Sequence, residues 1–167
     1  MKIRDAELRD AGAVADIYDH YVLNSHATFE VDTVGVEQMA SRMHDSLTSG
    51  LPFLVAVADD EIRGYAVAQP YKTRAAYQHS VEISVYVRPQ TIATGLGSSL
   101  YQKLFERLRR SGVHAVIAGI SLPNDASIRL HEKFGMTKVA HFPEVGNKFG
   151  RWIDVGYWHL VLSDRSD

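Results

Sequence analysis

Residues 80–108 read SVEISVYVRPQTIATGLGSSLYQKLFERL, and the interpretation of the chain turns on them. Val81, Ile83, Val85 and Val87 alternate with Glu82, Ser84 and Tyr86, the period of a strand with one face turned to a core. Leu100, Leu104 and Leu108 then recur at helical spacing. Gly95 and Gly97 stand between the two periods. A helix N-terminus leaves about four backbone N–H groups without partners, and its dipole favours an anion. Glycines ahead of the first turn let a phosphate reach those groups without meeting a Cβ. A plain tight turn uses glycine in the same way, and no basic residue lies between Arg88 and Lys103. The pattern is neither a Walker loop nor Gly-x-Gly-x-x-Gly, so both readings stand on these residues alone.

Working outward, KIRDA (2–6) predicts a first strand, and Asp10 an N-cap for a helix with Val14, Ile17, Tyr18 and Tyr21 on one face. Val36, Met39, Ala40 and Met43 repeat that spacing in a second helix, ended by Ser49-Gly50. PFLVAVA (52–58) and IRGYAVAQ (62–69), joined through Asp59-Asp60-Glu61, predict a β-hairpin. HAVIAGIS (114–121) is almost continuously apolar, as expected of a strand covered on both faces. A helix from Asn124 to near Gly135 follows, then two strands in MTKVAHF (136–142) and WIDVGYWHLVL (152–162). This order predicts a mixed α/β sheet flanked by helices rather than strict βα repeats. No linker, low-complexity tract or repeat interrupts it, so residues 1–167 read as a single domain.

Composition narrows the function classes. The 167 residues are 46% hydrophobic and 23% charged, with 18 Lys+Arg against 20 Asp+Glu. A net charge of -2 argues against a nucleic-acid partner. There is no cysteine, hence no disulfide framework, thiolate zinc site or cysteine nucleophile. MKIRDAELRD lacks the apolar core of a signal peptide, and no run is long enough to span a bilayer, so a cytoplasmic protein with no membrane partner is expected.

Several segments together resemble one family. SVYVRPQTIATGLGSSLYQKLFE (84–106), AGISLPNDASIRLHEKFGM (118–136), VGNKFGRWIDVGYWHLVL (145–162) and IYDHYVLNSHATFE (17–30) are similar to the GNAT (GCN5-related) N-acetyltransferases. The likeness is strongest to their phosphinothricin and methionine-sulfoximine acetyltransferase branch and covers nearly the whole chain. It implies the GNAT fold, acetyl-CoA as co-substrate, no metal, a small-molecule amine substrate and a homodimer. It implies a pyrophosphate site spanning Ile92, Ala93, Thr94, Gly95, Leu96, Gly97 and Ser98. The backbone of Val85, Tyr86 and Val87 would lie along the pantetheine arm. The family loop usually reads Arg/Gln-x-x-Gly-x-Gly/Ala, whereas this chain opens it with Ile92 and replaces the branch's Gly-Arg by Ala93-Thr94. A side-chain contact and a cation are thereby lost, but the main-chain donors are kept.

A carboxylate in mid-strand at Glu82 fits either a solvated, ion-paired face or a general base of raised pKa. The resemblance casts it as the base that deprotonates the amine. Asn124, Ser127 and His131, spaced i, i+3 and i+7, share a helix face. On the residues alone Asn124 fits a helix N-cap and His131 a surface histidine. The resemblance implies cofactor contacts from Asn124 and Ser127 and, from His131, either a proton for the departing thiolate or a cofactor contact alone. On the substrate side it points to Phe29, Arg74, Tyr77, His79 and Lys148, an arginine being suited to a carboxylate. No histidine or carboxylate cluster has metal-ligand spacing. The activity implied is acetyl transfer to the α-amine of phosphinothricin, methionine sulfoximine or methionine sulfone. The rival readings are transfer to another amine, such as an aminoglycoside or a protein N-terminus, and a non-catalytic acyl-CoA sensor.

Overall fold

The computed structural model describes residues 1–92 and 94–162. The elements in chain order are β1 (Lys2–Asp5), α1 (Ala11–Asn24), α2 (Gly35–Thr48), β2 (Phe53–Ala58), β3 (Glu61–Pro70), β4 (Ser80–Val87), α3 (Leu96–Leu108), β5 (Ala115–Ser121), α4 (Asp125–Lys133), β6 (Thr137–Lys148) and β7 (Arg151–Val161). The strands form one sheet in the order β1-β2-β3-β4-β5-β7-β6. Every neighbouring pair is antiparallel except β4 and β5, which run parallel.

The apolar alternation of each strand divides the core between the two sheet faces. Leu100, Tyr101, Leu104, Phe105 and Leu108 of α3 pack on Leu54, Ala68, Val81, Ile83, Val116 and Ala118. On the other face α1 and α2 bring Val14, Ile17, Met39 and Met43 against Phe53, Val55, Tyr65 and Val67. Each Leu or Phe fully buried this way contributes about 1.5–3 kcal/mol. The β2–β3 hairpin turns through Asp59 (φ 52°) and Asp60 (φ 59°), a pair of left-handed residues that matches the strand twist.

Three expectations need correction. Asp10 makes no side-chain cap on α1. Its carboxylate instead accepts two hydrogen bonds from the Arg4 guanidinium, at 2.7 and 2.8 Å, and one from the Glu7 N–H at 2.8 Å. A charged fork offers it more than a lone helical N–H. β5 is not covered on both faces: Val116, Ala118 and Ile120 are buried under α3, while Gly119 on the opposite face is exposed. Among the described residues α1 and α2 pack chiefly on β2, β3 and β4, to one side of β5. β6 runs well past Phe142, because register irregularities between Phe142 and Gly146 absorb Pro143 and the left-handed Glu144 (φ 50°).

Candidate active site

β4 and β5 pair only through Ser80↔Ala115, Val81↔Val116 and Glu82↔Ile117. Beyond Glu82 they part, and a cleft of about 640 Å³ opens between them. Val85, Tyr86 and Val87 form one wall, Gly119 and Ser121 the other, and Asn124 and Ser127 of α4 the rim. Tyr21 of α1 anchors the end of β4, its hydroxyl donating to the Val87 carbonyl at 2.6 Å.

The glycine loop lies at the mouth of this cleft, with Ile92, Gly95, Leu96, Gly97 and Ser98 lining it. Gly95 has φ 84°, the left-handed conformation at which glycine escapes a Cβ penalty. Gly97 is different. A Cβ there would meet nothing closer than Leu130 Cδ2 at 3.4 Å, an ordinary van der Waals contact. The chain's own packing therefore does not require glycine at 97, and the open ground in front of the first-turn N–H groups is what its absent side chain supplies. Thr94 turns back to donate to the Thr91 carbonyl at 2.7 Å. Ala93 lies outside the described residues.

Glu82 sits where the strands diverge, between Gln69 and Ile117. Burial raises its carboxyl pKa above the ordinary value of 4.5. A Cβ on Gly119 would lie 3.6 Å from Glu82 Oε1 and 3.3 Å from Tyr157 Cε1, so the bare Gly119 backbone makes room for both groups. Burial and the Glu82 carboxylate together raise the pKa of the Tyr157 hydroxyl.

His131 is buried at the base of α4. Its Nδ1 lies 2.7 Å from the Ser127 carbonyl, which can only accept, so Nδ1 carries the proton. Nε2 lies 2.9 Å from the Tyr101 hydroxyl. Burial lowers the imidazole pKa below 6.5, which makes the neutral ring the resting form and Nε2 the acceptor. Both nitrogens are thus engaged inside the protein. Asn124 caps α4, its Oδ1 accepting from the Ser127 N–H at 3.1 Å.

The residues expected on the substrate side divide into two groups. Arg74 lies 5.6 Å from the Tyr77 ring centroid, and Lys72 lies 5.1 and 5.6 Å from those of Tyr71 and Tyr77. Together they form a cationic, aromatic rim between β3 and β4. His79 is turned away, with its Nδ1 3.1 Å from the Gly112 carbonyl. Lys148 is only 2% exposed and donates to the carbonyls of Ser25 at 2.7 Å and Thr28 at 2.8 Å, so its ammonium serves the chain rather than the cleft. Phe29 lies against Gly146, where a Cβ would collide with the ring. A second hollow of about 110 Å³, lined by Arg42, Gln69, Ser84 and Tyr86, lies on the β4 face that carries Glu82. Among the described residues no group of three His, Asp or Glu is placed to hold a metal.

Sequence reading missed Tyr101, Gly119, Ser121, Tyr157 and the cleft-lining cations Arg129 and Lys133. Only the last pair carried a local signal, an i, i+4 spacing on the helix that holds His131.

A model of the acetyltransferase (GNAT) domain matches residues 3–156. The chain is 37% identical over 166 residues to the L-methionine sulfoximine/L-methionine sulfone acetyltransferase of Salmonella typhimurium, covering 99% of this chain and 97% of that one. It is 38% identical over 166 residues to a phosphinothricin N-acetyltransferase of Streptomyces coelicolor, covering 97% and 96%. Its fold is similar to that of a GNAT superfamily phosphinothricin acetyltransferase from Sinorhizobium meliloti, solved in complex with acetyl-CoA. There the TM-score is 0.95 at 31% identity, over 99% of this chain and 90% of the other. The chain belongs to the GNAT acetyltransferase family.

Proposed function

We propose that the protein is an acetyl-CoA-dependent N-acetyltransferase acting on the α-amine of a small amino-acid analogue of the phosphinothricin or methionine sulfoximine type. The observation that carries this reading is the divergence of β4 from β5 after the Glu82↔Ile117 pair, which opens a cleft whose mouth is a glycine-opened helix N-terminus and whose wall at Gly119 lies beside the Glu82 carboxylate. The cleft fits an extended, phosphate-bearing ligand: Gly97 leaves a space that a Cβ would fill, and the β4 edge beyond Glu82 is unpaired. The relatives named above act on substrates of the proposed class.

Bound acetyl-CoA supplies an acetyl thioester, and the chain does the rest. First-turn N–H groups of α3 hold the pyrophosphate, and main-chain groups of Val85 and Val87 align the arm. Glu82, with its raised pKa, removes the ammonium proton, directly or through one water. Main-chain N–H groups near Val85 face the charge that develops on the carbonyl oxygen. The amine attacks directly, with no acyl-enzyme. The C–S bond then breaks and the thiolate leaves readily, being only weakly basic (thiol pKa about 8.5), while the second proton of the nitrogen passes to it or to solvent. His131, neutral and held at both nitrogens, is therefore a positioning residue for α4 and Tyr101. The Arg74 and Lys72 rim faces an anionic substrate group.

Self-association through the β6–β7 hairpin belongs to the same proposal, supported by the exposure of Val139, Phe142, Val145 and Trp152 along it. The activity test is thiol release from acetyl-CoA across a panel of amino-acid analogues, aminoglycosides and N-terminal peptides. Acceleration by the amino-acid analogues alone is expected. Acetyl-CoA binding with no accelerating amine would favour the sensor instead.

A further inference from the structure

We propose that Arg129 and Lys133 of α4 supply the cation that the glycine loop lacks, so that the cofactor pyrophosphate is clamped between the α3 N-terminus and the side of α4. The inference rests on the acetyl-CoA reading and concerns how this particular chain achieves it. Between Arg88 and Lys103 there is no basic side chain. Arg88 itself does not line the cleft, and its Nε donates to the Ile62 carbonyl at 2.8 Å. The loop offers main-chain donors and no positive charge of its own, yet a pyrophosphate brings two negative charges to it.

The cations come from across the cleft. Arg129 and Lys133 both line it, one helical turn apart on the same side of α4. Lys133 Nζ donates to Ser98 Oγ at 3.2 Å, and Ser98 is the third residue of α3. The ammonium thus stands at the same helix end as the first-turn N–H groups. Leu130, between the two cations in sequence, lies beside Gly97, with its Cδ2 3.4 Å from where a Cβ there would stand, so this part of α4 faces the first turn of α3. Among the described residues neither cation is paired with a carboxylate. Lys133 keeps two N–H donors beyond the one given to Ser98.

The test is calorimetric titration with CoA and with dephospho-CoA, which keeps the pyrophosphate but lacks the 3′-phosphate. Both side chains are exposed, so Lys133→Gln and Arg129→Gln are expected to fold normally, checked by thermal melting. Lys133→Gln is expected to weaken both nucleotides equally, by roughly 5- to 10-fold, and to flatten the salt dependence of binding. Thr94→Arg in the Lys133→Gln background is expected to recover most of that loss. Unchanged affinity in both single variants and in Arg129→Gln combined with Lys133→Gln would overturn the inference while leaving the acetyl-CoA reading intact. A loss confined to CoA would also overturn it, by assigning the cations to the 3′-phosphate. Failure of the unmodified protein to bind either nucleotide would remove the acetyl-CoA reading itself.

Discussion

Glu82 burdens the fold in the ionised state that the proposed role of base requires. Its carboxyl binds a proton more tightly in the folded chain than in the unfolded one, because burial disfavours the charge. Its contribution to stability is therefore present below the unfolded value of 4.5 and is lost as pH rises through the raised value. Glu82→Gln is expected to melt about 2–4 °C higher near pH 8, equivalent to about 1 kcal/mol, with the gain vanishing in acid. The same change is expected to lower kcat/KM by roughly 10²- to 10⁴-fold. A variant with full activity and no gain in Tm would remove Glu82 as the base. His131 gives the complementary case. Its pKa is lowered by burial, so a role as acid would make activity decline as pH rises above neutrality. The expected profile of kcat rises through the Glu82 value and stays level to about pH 8, and His131→Gln keeps that shape at reduced height. A wild-type rate that falls between pH 6 and 8, together with loss of that fall in His131→Gln, would restore His131 as the acid.

The element that decides most is the first turn of α3. Ala is preferred to Gly inside a helix by roughly 0.5–1 kcal/mol, and position 97 has room for a methyl. Gly97→Ala is therefore expected to leave stability equal or slightly higher while weakening acetyl-CoA binding, read by melting and titration on the same sample. Weaker folding with unchanged binding would show glycine to be a packing device after all. At the other end of the chain, burial and the Arg4 guanidinium make Asp10 the link between β1 and the start of α1. The Arg4 hydrogen bond holds its pKa below 3.8, so its contribution is present at neutral pH and fades only as pH falls below that value. Asp10→Asn is expected to cost about 1–3 kcal/mol at pH 7 in urea unfolding and much less near pH 3. Strands, helices and the glycine loop were legible because their signals are local: alternation in β4, Leu spacing in α3, paired aspartates in the hairpin. The site was legible to the extent that Glu82, Asn124 and His131 sit in such segments. The partners that fix their chemistry were not. Tyr101 meets His131 across 30 residues, and Ser98 meets Lys133 across 35, distances over which no periodicity speaks. The apolar run in β5 misled for a related reason. A face left exposed at Gly119 looks, in sequence, the same as a face beneath a helix.

At the scale of the molecule, that face continues through Tyr157 to Phe142 on the β6–β7 hairpin, where Phe142 is 50% exposed and Trp152, near the hairpin turn, 66%. A second copy of the chain would cover both. Trp152→Lys is expected to shift sedimentation from dimer to monomer, and a wild type that sediments as monomer at micromolar concentration would exclude the hairpin as an interface. Among the described residues three residue pairs join β4 to β5 in register, and α3 lies across both strands on Val81, Ile83, Val116 and Ala118. The sheet is accordingly sewn along a short seam that one helix backs from one side. A ligand lying in the gap would cross that line and stitch the two strands together, so the opening that admits the cofactor is also where its binding would add to the stability of the folded chain.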